Sequence, residues 1–261
     1  MIKVLDLVSY YRKSDNNENM ANFNAMVDLF LYKVSNSIFK DTTILRGNIL
    51  VNRLVPQYLD YHAMFQMDLL RYHFEDETVY EFFRSLSGGE DGLTFIVKKI
   101  FTKGDVKLVN FSLLDNFNYQ IDNFELELFN QGKSFLNPTI IDLRIESMNK
   151  IVSLYAITKE ELVINLINEI YVEGSYFKNY DNVEKIYLLL MNIKMNKRDF
   201  RLVLHKVIFK SAKNFDFSSF LVNLSKILRD QYVKSYAKKA VRNYEIKVKY
   251  IIDYLKNDTN I

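Results

Sequence analysis

Apolar residues recur every three or four positions in the first part of the chain. This spacing places them on one face of a helix, so it predicts helices at Ile2–Arg12 and Met20–Phe39, separated by a polar linker. The next predicted elements are shorter. Thr42–Leu45 is short and β-branched, which favours a strand, and Gly47 turns the chain into an apolar helix at Ile49–Leu54. Ala63–Leu70 alternates between apolar and polar residues, as a strand does.

The middle of the chain is dominated by strand-like patterns. A helix is predicted at Glu77–Leu86 and is ended by two glycines. Turn-like residues then separate three alternating runs, which predict strands at Gly92–Thr102, Val106–Leu113 and Tyr119–Leu128. We expect an irregular connector at Gly132–Asn149 and a last strand at Ile151–Ala156.

After residue 157 every pattern is helical. Thr158, with Glu161 three residues later, forms a capping-box motif that begins a helix at 159–172. Further helices are expected at about 180–194, 197–211, 216–230 and 233–256. The sequence therefore predicts an α+β protein: a mixed sheet with flanking helices in a domain at 1–157, followed by a helical bundle at 158–261.

Composition narrows the functional classes. The chain has 261 residues, of which 49% are hydrophobic, so it can bury a substantial core. A formal net charge of +3 is too close to balance to indicate a nucleic-acid binder by itself. The absence of cysteine excludes disulfides and thiolate catalysis. The sequence begins without a signal-peptide pattern and contains no apolar run of membrane-spanning length, so we expect a cytoplasmic protein with no membrane partner.

The candidate chemistry is a set of acids on strands close to a glycine turn. Asp68 lies near the end of one predicted strand, and Glu125 and Glu127 share the polar face of another. Gly47, between a strand and a helix, would let the backbone approach a phosphate group. Each feature also has an ordinary structural interpretation: a polar strand end, a solvated strand face and a turn glycine.

Three segments give these residues a family context. The segments are Phe30–Ser37 (FLYKVSNS), Ile44–Asn48 (ILRGN) and Met67–Leu70 (MDLL). In this order and spacing the chain resembles the abortive-infection E-type toxins, the AbiEii-like nucleotidyltransferases, over roughly residues 20–195. The resemblance implies a nucleotidyltransferase-like fold. It also implies Mg²⁺-dependent transfer of a nucleotide from an NTP to RNA or protein, in a phage-defence or toxin–antitoxin system.

The residue roles implied by the resemblance are as follows. Asp68 and Glu127 would be catalytic, with Asp68, Glu125 and Glu127 as the metal ligands, since Mg²⁺ prefers oxygen donors. The nucleotide-binding positions would be Arg46, Gly47, Asn48 and Gln66.

This chain departs from the family pattern at several of its motif positions. Where the family has a threonine and two aspartates at alternate positions, this chain has Met64, Gln66 and Asp68, and His62 replaces an arginine. A helical motif of the family corresponds to Ile164–Ile167 (INLI), which lacks the charged pair of the family. A further motif reads Asn179, Asp181, Asn182 and Lys185.

Two main hypotheses therefore stand side by side. In the first the protein is an active nucleotidyltransferase. In the second it is a catalytically degenerate homologue that binds a nucleotide, an RNA or a partner protein. A purely structural interaction domain is the third.

The charged residues and the family resemblance each predict a class of partner. Lys234, Lys238 and Arg242 share one face of the predicted last helix, which could hold tRNA or another RNA by its phosphates; a solvated helix face is the alternative. A cognate antitoxin or another defence protein is a partner that the resemblance implies.

The three histidines, His62, His73 and His205, have no metal-binding spacing.

Overall fold

A computed structural model describes residues 2–13, 18–55, 65–70, 74–88, 92–130, 134–208 and 216–258, excluding the side chains of residues 122, 123 and 258. The chain divides into two compact units. The first comprises Met1–Arg53, Leu59–Lys133 and Pro138–Ala156. The second comprises Leu54–Tyr58, Ser134–Asn137 and Ile157–Ile261. His62, Met64 and His73 lie outside the described residues.

The first unit is built on one mixed sheet with flanking helices. Its helices are α1 (Val4–Arg12), α2 (Glu18–Ser35), α3 (Gly47–Leu54) and α4 (Asp76–Leu86). Its strands are β1 (Thr43–Arg46), β2 (Phe65–Leu69), β3 (Thr94–Lys103), β4 (Val106–Leu114), β5 (Gln120–Phe129), β6 (Thr139–Ile145) and β7 (Lys150–Ala156).

The strand order in this sheet is β3-β4-β5-β2-β1-β7-β6. β2 is parallel to β5 and β1 is parallel to β7, whereas the other neighbouring strands are antiparallel. The predicted α+β class, a mixed sheet with flanking helices followed by helices, is confirmed.

Phenylalanines attach α2 to one face of the sheet. The ring of Phe30 lies 5.4 Å from that of Phe65 on β2 and 5.9 Å from that of Phe111 on β4. Phe82 of α4 joins the same cluster, 6.3 Å from Phe30. All four side chains are buried. Because successive strand residues point to opposite faces, packing of Phe65 on α2 turns its neighbour Gln66, and likewise Asp68, to the other face.

Two sequence predictions for the first unit were wrong. The segment Gly132–Asn149, predicted to be irregular, contains the regular strand β6, which pairs with β7 at the end of the sheet. Ile140 on this edge strand is 61% exposed, so the alternation of apolar inward and polar outward residues along β6 is weak. Helix α2 ends at Ser35 rather than Phe39. The hydroxyl of Ser35 donates to the carbonyl of Tyr32, and that of Ser37 donates to the carbonyl of Val34, which satisfies carbonyls of the last turn.

The second unit is helical. Its helices are α5 (Lys159–Glu173), α6 (Asp181–Asn192), α7 (Lys197–Ile208), α8 (Phe217–Arg229), α9 (Gln231–Ala240) and α10 (Tyr244–Asp258). The single helix expected at 233–256 is in fact α9 and α10. α9 is capped by Val241 in an extended conformation, and Asn243, just before α10, has a φ of 58°, a left-handed conformation that asparagine tolerates.

Only half of the predicted capping box forms. The Thr158 side chain accepts a hydrogen bond from the backbone N–H of Glu161 at 3.2 Å and so caps α5. The Glu161 carboxylate does not complete the box. It accepts instead from Ser134 Oγ at 3.0 Å and from the N–H groups of Phe135 and Leu136. The glutamate thus ties the 134–137 segment to the second unit.

Among the described helices, none combines the length and the apolar character needed to cross a membrane.

A buried carboxylate links distant parts of the first unit. Asp28 of α2 is fully buried and accepts hydrogen bonds from Tyr11 Oη of α1 at 2.5 Å and from Arg53 of α3 at 2.7 Å. It also accepts from the backbone N–H of Ser147 at 3.0 Å and from the Ser147 hydroxyl. Burial, and then the Asp28 charge, raise the pKa of Tyr11 above its usual value, so the tyrosine remains a proton donor.

Replacing this carboxylate should destabilise the first unit. Asp28→Ala would leave Arg53 as a largely buried charge without its carboxylate, and removal of one partner from such a pair costs about 3–5 kcal/mol. We expect a loss of that size in the free energy of unfolding measured with urea. Asp6→Ala on the exposed side of α1 is the control and should cost less than about 1 kcal/mol. Equal losses in both variants would refute the structural role of Asp28.

Candidate functional site

The candidate site is built on the sheet face opposite α2. Strand pairing sets Arg46, Gln66 and Glu127 opposite one another in one row across β1, β2 and β5. The adjacent row contains Ile44, Asp68 and Phe129. Paired residues point to the same face of a sheet, so all these side chains share one surface.

Side-chain contacts connect residues within the first row and between the two rows. Gln66 Nε2 donates a hydrogen bond to Glu127 Oε2 at 2.6 Å. The guanidinium of Arg46 reaches diagonally to the neighbouring row, where its Nε lies 3.1 Å from Asp68 Oδ1. Asp68 is fully buried, and the Arg46 side chain is 15% exposed. The guanidinium also lies over the ring of Phe129, 5.0 Å from its centroid, a favourable cation–π geometry.

Gly47 provides the sharp bend next to this surface. It follows β1 directly, begins α3 and has a φ of +59°, a left-handed conformation that favours glycine. A Cβ atom added at Gly47 would lie 1.6 Å from Gln66 Oε1 and 2.9 Å from Gln66 Cβ. The Gln66 side chain therefore fills the space beside the bend while its amide nitrogen holds Glu127.

Most of the residues predicted for the site come together. Arg46, Gly47, Gln66, Asp68 and Glu127 lie at adjoining positions of β1, β2 and β5 and at the bend. Asp68 and Glu127 therefore lie on the same face of a mixed sheet, whereas the roles of these residues stay predictions. Two further residues lie next to this group. Asn48 is the second residue of α3, and Glu125 is exposed one pair farther along β5, opposite Asn110.

Phe129 is the component that sequence reasoning missed. The predicted strand ended at Leu128, one residue before it. The alternation of Phe124–Phe129 carried the necessary signal, because a strand extended by one residue puts position 129 on the face of both glutamates. The ring gives the Arg46 guanidinium a flat surface to lie on.

Carboxylate oxygens are the groups of this site that suit Mg²⁺ best, among the residues that the structure describes there. Magnesium takes hard oxygen ligands, commonly one or two carboxylates together with phosphates and water. Asp68 and Glu127 supply such oxygens, but a guanidinium already contacts the first and an amide N–H the second. Within the described residues there is no group of three or more His, Asp or Glu side chains placed to hold a metal ion. In this arrangement the residues do not fit a bound Mg²⁺ ion.

The residues predicted for RNA binding are not on one helix. Lys234 and Lys238 lie on α9, whereas Arg242 follows its end. Lys234 also forms an ion pair with Glu245 of α10 at 2.9 Å. The face that those three residues were predicted to share does not exist, because the helix is interrupted.

Two residues of the predicted helical-domain motif lie in the core of the second unit. Asn182 and Lys185 are 1% and 2% exposed. Asn182 Nδ2 donates to Glu169 Oε2 at 2.7 Å, which joins α6 to α5. The burial of both side chains places the two positions in the packing between helices.

Comparison with known proteins gives similarities to solved structures at low sequence identity. No protein-family model matches it, and no match was found among curated proteins. Among solved structures, it resembles an antigenic nucleotidyltransferase-like protein from Paracoccidioides brasiliensis, with 13% identity, a TM-score of 0.46, and coverage of 78% of this chain and 92% of that one.

Two Helicobacter pylori structures are also similar. JHP933 has 11% identity and a TM-score of 0.36 and covers 86% of this chain and 96% of its own. A candidate nucleotidyltransferase has 10% identity and a TM-score of 0.41, with coverage of 92% and 97%. All three TM-scores are below 0.5, so these similarities do not define the activity of this chain.

The close approach of Gln66 to the bend can be measured. Gly47→Ala should destabilise the protein by about 1–3 kcal/mol, since alanine disfavours a positive φ and its Cβ displaces the Gln66 side chain. In the double variant Gly47→Ala/Gln66→Ala the clash with the amide group is gone and only the backbone strain and a close Cβ contact remain. We therefore expect the two changes to be non-additive in urea unfolding by about 0.5 kcal/mol or more. Strict additivity would contradict the contact.

Proposed function

We propose that this is a nucleotidyltransferase-like protein that binds a nucleoside triphosphate at the Arg46–Gly47 bend. The observation that carries the proposal is the convergence of a basic residue, a left-handed glycine at a helix start and two carboxylates on one surface of a mixed sheet. Free N–H groups at the start of α3 would favour a phosphate group there. The sequence resemblance to abortive-infection toxins supports a role in phage defence or in a toxin–antitoxin pair.

The contacts inside the site favour binding without transfer. Nucleotide transfer by this class of site needs Mg²⁺ held by carboxylates, which supplies positive charge and orients the attacking oxygen. Here Gln66 stands at one of the alternate strand positions where the family resemblance calls for aspartate. Arg46 already places a positive charge against Asp68. A triphosphate could draw on this guanidinium as its counter-charge, so the best-supported function is nucleotide recognition by a catalytically degenerate site.

Binding at the bend would rearrange the site as a unit. A phosphate entering beside Gly47 must move the Gln66 side chain, which occupies that space and holds Glu127. The same phosphate would attract Arg46 away from Asp68, because the phosphate and the Asp68 carboxylate are both anions and compete for one guanidinium. Glu127 would therefore lose the hydrogen bond from Gln66, and Asp68 its ion pair with Arg46, when the nucleotide binds.

An active nucleotidyltransferase is the second candidate, and that release of carboxylates favours it. Asp68 and Glu127 lie on the same surface in adjacent rows and on neighbouring strands. Together with Glu125 they are the carboxylates that the family resemblance implies as ligands of a Mg–NTP complex. The acceptor would be an RNA or a protein. A cognate antitoxin would then be the partner that restrains the activity.

Nucleotide recognition is tested by calorimetry of the full chain with each NTP, in EDTA and in Mg²⁺. We expect binding that persists in EDTA and weakens at least tenfold in Arg46→Ala, with Arg46→Lys intermediate because lysine keeps the charge without the planar fork. Arg84→Ala on the exposed side of α4 is the matched control and should bind like the wild type. Absence of binding under both conditions would end the nucleotide proposal.

Transfer is tested with labelled NTPs, Mg²⁺ and total RNA or protein as acceptor. The degenerate site should label neither, whereas Gln66→Asp, which restores a carboxylate at an alternate strand position, should increase Mg²⁺-dependent NTP binding. Labelling by the wild type that Asp68→Ala abolishes would instead establish the active enzyme. The Glu81→Ala variant, changed at an exposed acid of α4, controls for the loss of a negative charge.

A further inference from the structure

A groove runs between two helices of the second unit. Helices α8 and α10 enclose an open groove of about 790 Å³. Its floor is apolar and includes Leu221, Val222 and Ile252. Leu221 and Ile252 are nearly buried, whereas Val222 is 52% exposed, so the groove presents apolar surface to a ligand.

The groove has the length of a short helix. On α8 the lining residues extend from Ser218 to Arg229 at intervals of three and four, which places them along one side of the helix. At 1.5 Å per residue this stripe is about 16 Å long, or three helical turns. On α10 the lining residues from Lys249 to Lys256 repeat the same spacing.

Positive charge surrounds the apolar floor. Lys226 and Arg229 of α8 and Lys249 and Lys256 of α10 line the groove, against the single carboxylate of Asp253. All four basic residues are exposed. No ion pair joins any of the four to a carboxylate within the part of the chain that the structure describes. Their charge is therefore available to an anionic partner.

We propose that this groove binds an acidic amphipathic helix of a partner protein. An apolar floor flanked on both sides by basic residues is complementary to a helix that has an apolar stripe bordered by aspartate and glutamate. RNA is a poorer match, because its phosphates would contact the lysines but leave the apolar floor uncovered. The groove lies within the second unit, so this proposal does not rest on nucleotide binding by the first.

The binding test uses synthetic helices and the full chain. The probe is a fluorescein-labelled 18-residue peptide with leucine at helical spacing and glutamate beside it, and the control peptide has lysine in place of glutamate. Fluorescence anisotropy should show saturable binding of the acidic peptide to the full chain and no saturable binding of the lysine peptide. Lys226→Glu/Arg229→Glu and Lys249→Glu/Lys256→Glu should each weaken it at least tenfold and should permit binding of the lysine peptide.

Matched variants distinguish binding in the groove from non-specific attraction by the net charge of the protein. Lys238→Glu/Lys239→Glu on α9 makes the same change in net charge at exposed positions outside the groove and should leave the affinity within twofold. Val222→Glu keeps the basic rim but puts a carboxylate on the exposed floor, and it should also weaken binding at least tenfold. Thermal unfolding of each variant checks that it is folded.

Several results would overturn the proposal. Equal weakening by the α9 pair would show non-specific attraction, and absence of saturable binding of the acidic peptide would exclude the partner class. Tighter binding of a labelled 12-nucleotide RNA that the groove variants abolish would assign the surface to nucleic acid. A dimer in sedimentation that becomes a monomer in the groove variants would show that a second copy of the chain is the occupant.

Discussion

The candidate site depends on the packing of phenylalanines between α2 and the sheet. The ring of Phe65 lies 5.4 Å from that of Phe30 and 5.7 Å from that of Phe23, which fixes one face of β2 against the helix. Since side chains alternate along a strand, this contact alone determines that Gln66 and Asp68 point away from α2. A register slip of one residue would turn both polar groups towards the apolar helix α2 and move three apolar side chains to the opposite face, at a large cost. Core packing therefore determines the chemistry of the opposite face.

The charge arrangement on that face needs more explanation than stability provides. Bringing a carboxylate and a guanidinium out of water is costly, and a buried pair often adds no more stability than apolar residues of similar size. Yet Asp68 is fully buried and its partner Arg46 nearly so. The pair lies beside a left-handed glycine and a helix start, where an anionic ligand would be favoured. The proposed recognition of a nucleotide would give this ion pair a reason that folding alone does not.

The periodicity of the sequence was sufficient to predict most elements and the face of the site. Period-two alternation placed Gln66 and Asp68 on one side of a strand, and Glu125 and Glu127 on one side of another. What it could not supply is pairing: β2 lies next to β5 although about fifty residues separate them in sequence, and only long-range packing brings them together. Edge strand β6 was missed because one face is solvated. The break between α9 and α10 was missed because an extended Val241 and a left-handed Asn243 interrupt an otherwise continuous helical pattern.

The contrast between two fully buried carboxylates in the first unit, Asp28 and Asp68, explains why the side-chain contacts of the site can rearrange while the fold is kept. Asp28 bonds residues of α1, α3 and the 146–148 turn, elements far apart in sequence that this contact helps to join. The Arg46–Asp68 and Gln66–Glu127 contacts instead connect strands that backbone hydrogen bonds already hold in register. Exchanging these contacts for bonds to a ligand removes no link between elements. The free energy needed to open the site is therefore that of a few side-chain interactions, a cost that ligand binding can offset without unfolding the sheet.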